Sequence, residues 1–113
     1  MEKRISCKPV EVSDEFKAHR THIYDYTCDM FGYFQADRYL QKINENLDML
    51  YEYYLAYPEC RHLATKSRMY RNIILDAHLI IYRITSERIE VLDIIHSASS
   101  IGKIRSVRSI RFS

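Results

Sequence analysis

Glycine, proline and cysteine are scarce in this chain of 113 residues, and these shortages exclude several kinds of site. Its two glycines leave no room for a glycine-rich loop that cradles phosphate groups. The three cysteines, Cys7, Cys28 and Cys60, are odd in number and widely spaced, which matches neither a disulfide framework nor a zinc pattern. We therefore expect no metal site and no cofactor, and a reducing cytoplasm as the compartment.

Long apolar runs are also missing. No stretch has the apolar length that a transmembrane helix requires. The N-terminal residues MEKRISCKPVEV include basic side chains without a following apolar core, so they do not form a secretory signal. Hydrophobic residues nevertheless make up 47% of the chain and charged residues 28%, which is normal for a globular protein. A single folded domain without membrane contact is the expectation.

Positive charge is concentrated near the C-terminus. Of the 17 basic residues, four lie between Gly102 and Ser113, where there is no acidic residue: Lys103, Arg105, Arg108 and Arg111. The remainder holds 13 basic and 15 acidic residues, a balance of −2, although the whole chain carries +2. We accordingly divide the chain into a domain over residues 1–96 and a basic C-terminal segment over residues 97–113. Such a segment suits contact with nucleic acid or an acidic protein, or else it is a frayed, solvated terminus.

Two amphipathic helices are predicted in the first half of the chain. Ser13 is typical of a helix N-cap, and Gly32 suits a left-handed C-cap position. Between them, apolar residues recur along one side: Phe16, Ile23, Tyr26 and Met30. A second stripe in steps of three and four predicts a helix that Pro58 ends: Leu40, Ile43, Leu47, Leu50, Tyr54 and Tyr57. The short connection at Gly32 predicts an antiparallel helix hairpin.

Strands are predicted on both sides of the helices. Lys3 to Cys7 suits an edge strand, and Arg68 to Leu75 suits a later one. Two apolar runs, Leu79 to Ile84 and Ile89 to Ile95, then predict a hairpin that ends at His96. By strand alternation, Leu92, Ile94 and His96 should share a face. The helix hairpin must bury its stripes on this isoleucine-rich sheet, which predicts an α+β domain.

Several short segments follow one another in a recognisable order: Tyr26 to Phe31-Gly32, QADRYL at Gln35 to Leu40, Leu47 to Leu50 with Pro58 and Arg61, HLIIYRI at His78 to Ile84, and Ile89, Leu92 and Ile94 to His96. Together they resemble the RelE/ParE toxins of bacterial type II toxin–antitoxin modules, as used in plasmid stabilisation. The resemblance implies a strand–helix–helix–three-strand fold in which the helix hairpin packs on a largely antiparallel sheet. It also implies a growth-inhibiting toxin that a cognate antitoxin silences in a hetero-oligomer.

This resemblance implies one of two mechanisms. ParE-like toxins inhibit DNA gyrase, whereas RelE-like toxins enter the ribosome and cut mRNA. For RNA cleavage, the candidates are arginines that bind the phosphate and a histidine that acts as general acid or base: Arg68, Arg71, Arg83 and His96. For a binding protein, the candidate contacts with target or antitoxin are the four basic residues of the C-terminal segment together with Tyr51 and Tyr53.

The residues favour the gyrase-type mechanism. RelE-like nucleases are strongly basic along the sheet, whereas these strands carry Asp76, Glu90 and Asp93. HLIIYRI and QADRYL are also more ParE-like. Arg83 has a structural alternative as the partner of one of those acids, and His96 has one as a hydrogen-bonded strand-end histidine. We further expect residues 103–111 to be loosely attached until a partner binds, so that removing residues 102–113 leaves a folded domain.

Overall fold

A computed structural model of the protein describes residues 7–112. The helices and strands follow in the order β1 (Val10–Val12), α1 (Asp14–Phe31), α2 (Tyr33–Tyr53), β2 (Tyr70–Ile74), β3 (His78–Ile84), β4 (Ile89–His96) and α3 (Ile101–Ser106). Short 3-10 turns lie at Arg61–Leu63 and Val107–Ser109. The predicted α+β class and element order are confirmed. Across residues 7–112, no helix combines the length and the apolar character that a bilayer crossing needs.

The sheet has the strand order β1-β4-β3-β2. Strand β1 runs parallel to β4, and the other pairs are antiparallel. The predicted edge strand at residues 3–7 falls almost entirely outside the described residues. The first strand that the structure describes begins after Pro9, whose carbonyl accepts the N–H of Ile89 at 2.9 Å. A proline is tolerated here because it stands immediately before the first strand residue, where the ladder requires no N–H from it.

Ser13 is the N-cap of α1, as predicted, and its side chain also connects the helix to the sheet. Its Oγ accepts the N–H of Phe16 at 2.8 Å and donates to the carbonyl of Leu92 at 2.6 Å. At the other end, Gly32 has φ 91° and ψ 167°, so it is extended with positive φ rather than left-handed helical. Only glycine adopts that conformation without strain. A single residue therefore turns α1 into α2.

The predicted helix stripes are only partly correct. In α2, Ile43, Leu47 and Leu50 are buried, as their spacing indicates. In α1 the core contacts end at Ile23, and the stripe prediction is wrong for Tyr26 and Met30, which are 56% and 59% exposed. The reason is geometric: in the last turns of α1, at the end of the hairpin, Tyr26 faces an open cleft rather than packed side chains of the sheet.

Pro58 does not end α2, contrary to the prediction. The helix stops at Tyr53, well before the proline. The carbonyls released at this end are bound by side chains of the sheet. Tyr82 Oη donates to the carbonyl of Tyr54 at 2.6 Å, and Arg71 donates to those of Leu55 and Tyr57 at 3.0 and 2.9 Å. Tertiary hydrogen bonds thus determine where α2 ends.

Apolar side chains fill both faces of the sheet, whereas the sequence predicted one covered face. The helix hairpin covers the first face, with a core of Phe16, Ile43, Leu47, Leu50, Tyr54, Ile73, Leu75, Ile80, Tyr82, Ile89, Val91 and Ile94. The second face is covered by the turn at Arg61–Leu63 and by α3, with a core of Cys60, Leu63, Ile81, Leu92, Ile95, Ile104 and Val107. A strand covered on both faces has a continuous rather than alternating apolar pattern, which explains β4.

A bulge in β4 changes which side chains point together. Ile81 pairs with Asp93 whereas Tyr82 pairs with Val91, so Leu92 is the additional residue. Leu92 consequently packs on the second face while Ile94 packs on the first. The prediction that these two residues share a face is wrong, because a bulge shifts the alternation by one residue.

The expectation of a loosely attached C-terminal segment is also wrong. Ser100 caps α3 by accepting the N–H of Lys103 at 3.2 Å. Ile104 and Val107 are only 6% and 2% exposed. These two residues and the half-buried Ile110 recur in steps of three, so one side of the segment is apolar although its charges dominate the composition. Removing residues 102–113 would therefore uncover one face of the sheet.

Candidate functional site

His96, the predicted general acid or base, lies at the end of β4 opposite His78. The two ring centroids are 5.7 Å apart. His96 Nδ1 accepts the N–H of Ala98 at 3.0 Å, and a hydrogen bond of 2.7 Å joins His78 Nδ1 to Tyr39 Oη. Burial, with a smaller contribution from His96, lowers the pKa of His78, so His78 is neutral at neutral pH.

The three candidate catalytic arginines already have partners within the protein. Arg71 is bound by the carbonyls that follow α2. Arg83 Nη2 lies 2.6 Å from Oε1 of Glu90, which is its acidic partner among those that the sequence offered. Arg68 lies outside β2, with φ 56°, and its Nε is 3.6 Å from Glu59 Oε1. Arg71 and Arg83 are thus committed to contacts within the protein, whereas the Arg68 side chain is 65% exposed and its contact with Glu59 is a weak surface pair.

The predicted catalytic residues do not converge. His78 and Arg83 are five residues apart on β3, which separates them by about 17 Å along the strand. Their odd spacing also places them on opposite faces of the sheet, and His96 pairs with His78. Arg71 pairs with Tyr82, near the Arg83 end. A phosphate bound at any of the arginines would therefore lie far from His96.

The basic C-terminal segment crosses the second face of the sheet. Lys103, Arg105, Arg108 and Arg111 are exposed. Among residues 7–112 none of these four side chains has a carboxylate within ion-pair distance. Their charge is therefore available to a partner, whereas the neighbouring Arg83 and Arg88 share the carboxylate of Glu90, at 2.6 and 2.8 Å, which offsets one of their two charges.

Glu90 remains ionised although it is almost buried. Burial raises its pKa, but hydrogen bonds from Arg83 and Arg88 outweigh that effect, and the net result is a lowered pKa. Arg83 Nη1 also lies 3.3 Å from the carbonyl of Arg108, which connects this ion pair to the C-terminal segment. The pair thus has a structural role, and it holds the segment in place.

Two clefts open between the segment and the rest of the fold. The first, of about 450 Å³, lies between the turn at Arg61–Leu63 and α3, and Arg61, His62, Tyr70, Arg105 and Arg108 line it. The second, of about 490 Å³, continues from Arg108 to Arg111 and Phe112. We call Arg61, Arg105, Arg108 and Arg111 the basic face.

Arg61 and His62 were not among the predicted site residues. Arg61 belongs to the segments that carry the family resemblance, and no role for His62 followed from the sequence. The residues that flank them, Cys60 and Leu63, are only 2% and 4% exposed. Two apolar residues three positions apart are the sequence pattern that indicates a turn packed on the sheet. The arrangement places cations from two distant parts of the chain around one cleft, where a bidentate guanidinium contact with carboxylates or phosphates is possible.

Tyr51 and Tyr53 lie apart from the basic face. They are 50% and 48% exposed on α2, which covers the first face of the sheet. The two predicted contact sets therefore form separate surfaces. Elsewhere, a groove of about 390 Å³ holds His19, His22, His78 and His96. Even so, no three His, Cys, Asp or Glu side chains in the described part of the chain are placed to hold a metal ion.

Comparisons with known proteins agree with this fold. Residues 10–101 match the family model described as "ParE toxin of type II toxin-antitoxin system, parDE". Among solved structures, the chain is similar to "Chromosomal ParDE TA system from P. aeruginosa", with a TM-score of 0.67 and 17% identity over 80% of this chain and 97% of that chain. A search of the curated proteins finds no match. At that identity the structural likeness shows the fold, whereas the family match extends from β1 to the start of α3. The chain belongs to the ParE toxin family of type II toxin–antitoxin systems.

Proposed function

We propose that this protein is the toxin of its module, that it arrests growth by binding DNA gyrase in the cytoplasm, and that a cognate antitoxin neutralises it. The observation that carries the proposal is the separation of the candidate catalytic residues: His96 lies at one end of the β3–β4 pair and the three arginines lie towards the other end, with Arg71 and Arg83 bound by groups of the protein itself. The exposed cations, in contrast, are unpaired and adjacent. This arrangement favours a protein that acts by binding over one that cuts RNA.

The basic face supplies the proposed contact with the target. Its guanidinium groups border two clefts that are open to solvent, so an acidic loop or helix could insert carboxylates between Arg105 and Arg108. Exposed charges of this kind accelerate association and fix orientation more than they add affinity. Binding should therefore weaken as ionic strength rises, because a salt concentration of about 0.15 M screens charges beyond about 8 Å.

The antitoxin is proposed to be an acidic, extended segment that becomes ordered on binding. Its carboxylates would complement the basic face, and its apolar residues would cover exposed side chains such as Tyr51 and Tyr53. Occupation of the basic face by the antitoxin would exclude gyrase directly. The resulting complex would be a toxin–antitoxin hetero-oligomer.

A gyrase supercoiling assay tests the proposal. The protein should inhibit supercoiling, and Arg105→Ser/Arg108→Ser should lose at least about tenfold in potency because two charged contacts are removed. Lys17→Ser/Lys42→Ser is the matched control, since it removes the same charge from exposed positions on the two long helices, away from the basic face, and should inhibit like the parent protein. An absence of inhibition by the parent protein, or equal loss in both variants, would contradict the proposal.

The alternative function is ribosome-dependent mRNA cleavage of the RelE type. One observation favours it: the His78 and His96 rings are 5.7 Å apart, in the groove that Lys103 also lines. Two imidazoles and an ammonium could supply a base, an acid and a cation for attack by a 2′-hydroxyl. Translating ribosomes would then yield cut mRNA, and the cuts should vanish with His96→Ala. Intact mRNA together with inhibited gyrase would exclude this alternative.

A further inference from the structure

The end of the helix hairpin exposes a cluster of large apolar side chains. Around Gly32, Tyr26, Met30, Phe31, Tyr33 and Phe34 are 56–72% exposed. We call these five residues the hairpin tip. They lie beyond the core contacts of α1, which end at Ile23, so they contribute little to the fold. Contiguous exposed apolar groups on a soluble domain commonly mark an interaction site.

The area of the hairpin tip is close to what a stable interface requires. A large side chain of this kind has a solvent-accessible surface of about 200 Å². With exposures of 56–72%, the five side chains together leave about 650 Å² of surface accessible. A standard protein–protein interface buries about 800 Å² on each side. The summed area is thus close to that of one such surface, and it is spread around the end of the hairpin: Tyr26 and Phe31 line a cleft beside β3, whereas Tyr33 packs against Tyr24.

A cleft beside the hairpin tip would accept an anchoring side chain. It has a volume of about 440 Å³ and lies between the hairpin and the link from β2 to β3. Tyr26 and Phe31 form one wall, and Asp76 and His78 form the other. Binding energy in interfaces concentrates where a large side chain fills such a pocket and is shielded from water.

The rim of the hairpin tip is negative. Asp25 and Asp29 are exposed and, among residues 7–112, have no cation within ion-pair distance. Asp37 accepts the hydroxyl of Tyr24 at 2.7 Å. The nearby Arg38 guanidinium lies over the ring of Phe34, 5.7 Å from its centroid. A second copy docked about a twofold axis would bring these carboxylates face to face, and an acidic partner would be repelled.

We propose that the hairpin tip is a second docking site, which binds a protein segment whose apolar anchor residues are flanked by lysine and arginine. Its charge preference is the reverse of that of the basic face. The two sites are also separated in the fold, since the tip belongs to the helix side of the sheet and the basic face to the other side. Both sites can be occupied at once, and the inference does not depend on gyrase being the target.

Fluorescence anisotropy with labelled peptides tests this inference on the full-length protein. The probes are an amphipathic helical peptide of leucine and lysine and a matched peptide with glutamate in place of lysine. The lysine peptide should bind, and Phe31→Ser/Phe34→Ser should weaken binding at least about tenfold. Asp25→Asn/Asp29→Asn should weaken it several-fold at low salt and hardly at all at high salt.

Leu55→Ser/Ile74→Ser is the control variant. It removes two apolar side chains that are 51% and 69% exposed outside the hairpin tip, and it should bind like the parent protein. Amide chemical shifts should change around residues 24–38 and 76–78 when the lysine peptide is added. Circular dichroism establishes that each variant is folded.

Three results would overturn the inference. The glutamate peptide could bind as tightly as the lysine peptide, or the tip variant and the control could bind alike. Light scattering could instead reveal a dimer of the parent protein that becomes monomeric in Phe31→Ser/Phe34→Ser, which would make a second copy the occupant.

Discussion

Ile104→Ala should destabilise the whole domain, although it lies in the segment with the highest density of positive charge. Ile104 is 6% exposed and packs in the core of the second sheet face. Truncating a buried isoleucine to alanine costs about 2–5 kcal/mol, through lost burial and the cavity that remains. The total free energy of unfolding of a domain of this size is about 5–15 kcal/mol. The substitution keeps every charge of the chain, so it separates packing from electrostatics.

Ile101→Ala is the matched control for this experiment. Ile101 begins the same helix but is 49% exposed, so its truncation should change stability by less than about 0.5 kcal/mol. Both substitutions replace isoleucine by alanine within α3, so the small gain in helix propensity is the same in both and cancels in the comparison.

Urea unfolding followed by circular dichroism measures the difference. With an m-value of about 2 kcal/mol/M, a loss of 2–5 kcal/mol lowers the midpoint by roughly 1–2.5 M. If α3 were attached only weakly, the loss could not exceed the free energy with which α3 docks, because the segment would detach instead. Midpoints that agree for Ile104→Ala and Ile101→Ala would therefore refute the reasoning that α3 belongs to the core.

Three further predictions concern the glycine, the buried ion pair and the buried tyrosine. Gly32→Ala should lower the free energy of unfolding by about 1–3 kcal/mol, since φ 91° with ψ 167° strains any other residue; an unchanged urea midpoint would contradict this. The lowered pKa of Glu90 means that its stabilisation is complete above the ordinary value of 4.5 and is lost as pH falls through the lower folded pKa. Urea midpoints of Glu90→Gln should consequently vary less with acid pH than those of the parent protein. Tyr82→Phe removes the hydrogen bond to the Tyr54 carbonyl and should cost about 1 kcal/mol, with the near-ultraviolet spectrum as a check on packing.

Local periodicity was enough to predict the elements that cover the first face of the sheet. Ser13 caps a helix through its own neighbours in sequence, and Ile43, Leu47 and Leu50 repeat with the period of a helix. Features that depend on tertiary contacts could not be predicted from local patterns. The exposure of Tyr26 depends on the open cleft that it faces in the folded chain, and no local pattern encodes that cleft.

The second face was missed because charge concealed a short apolar repeat. The basic residues between 103 and 111 are typical of a polar tail, while the spacing of Ile104 and Val107 in the same stretch encodes a packed helix. The unbroken apolar run of β4 was a second sign of the covered face, since a strand buried on one side only would alternate. The two signals agree once the segment is placed over Leu92.

Sequence spacing alone could not reveal how far apart the candidate catalytic residues lie. Strand alternation assigns residues to faces only within one strand, and relating Arg83 to His96 requires the register between strands and the position of any bulge. The observed register pairs Arg83 with Glu90 at one end of the hairpin and His78 with His96 at the other. The same register makes Arg83 a structural residue, because its charge is neutralised in place. In the described part of this sheet face, the cations without an acidic partner are those of the C-terminal segment and Arg61, which is why the proposed contact with the target rests on them.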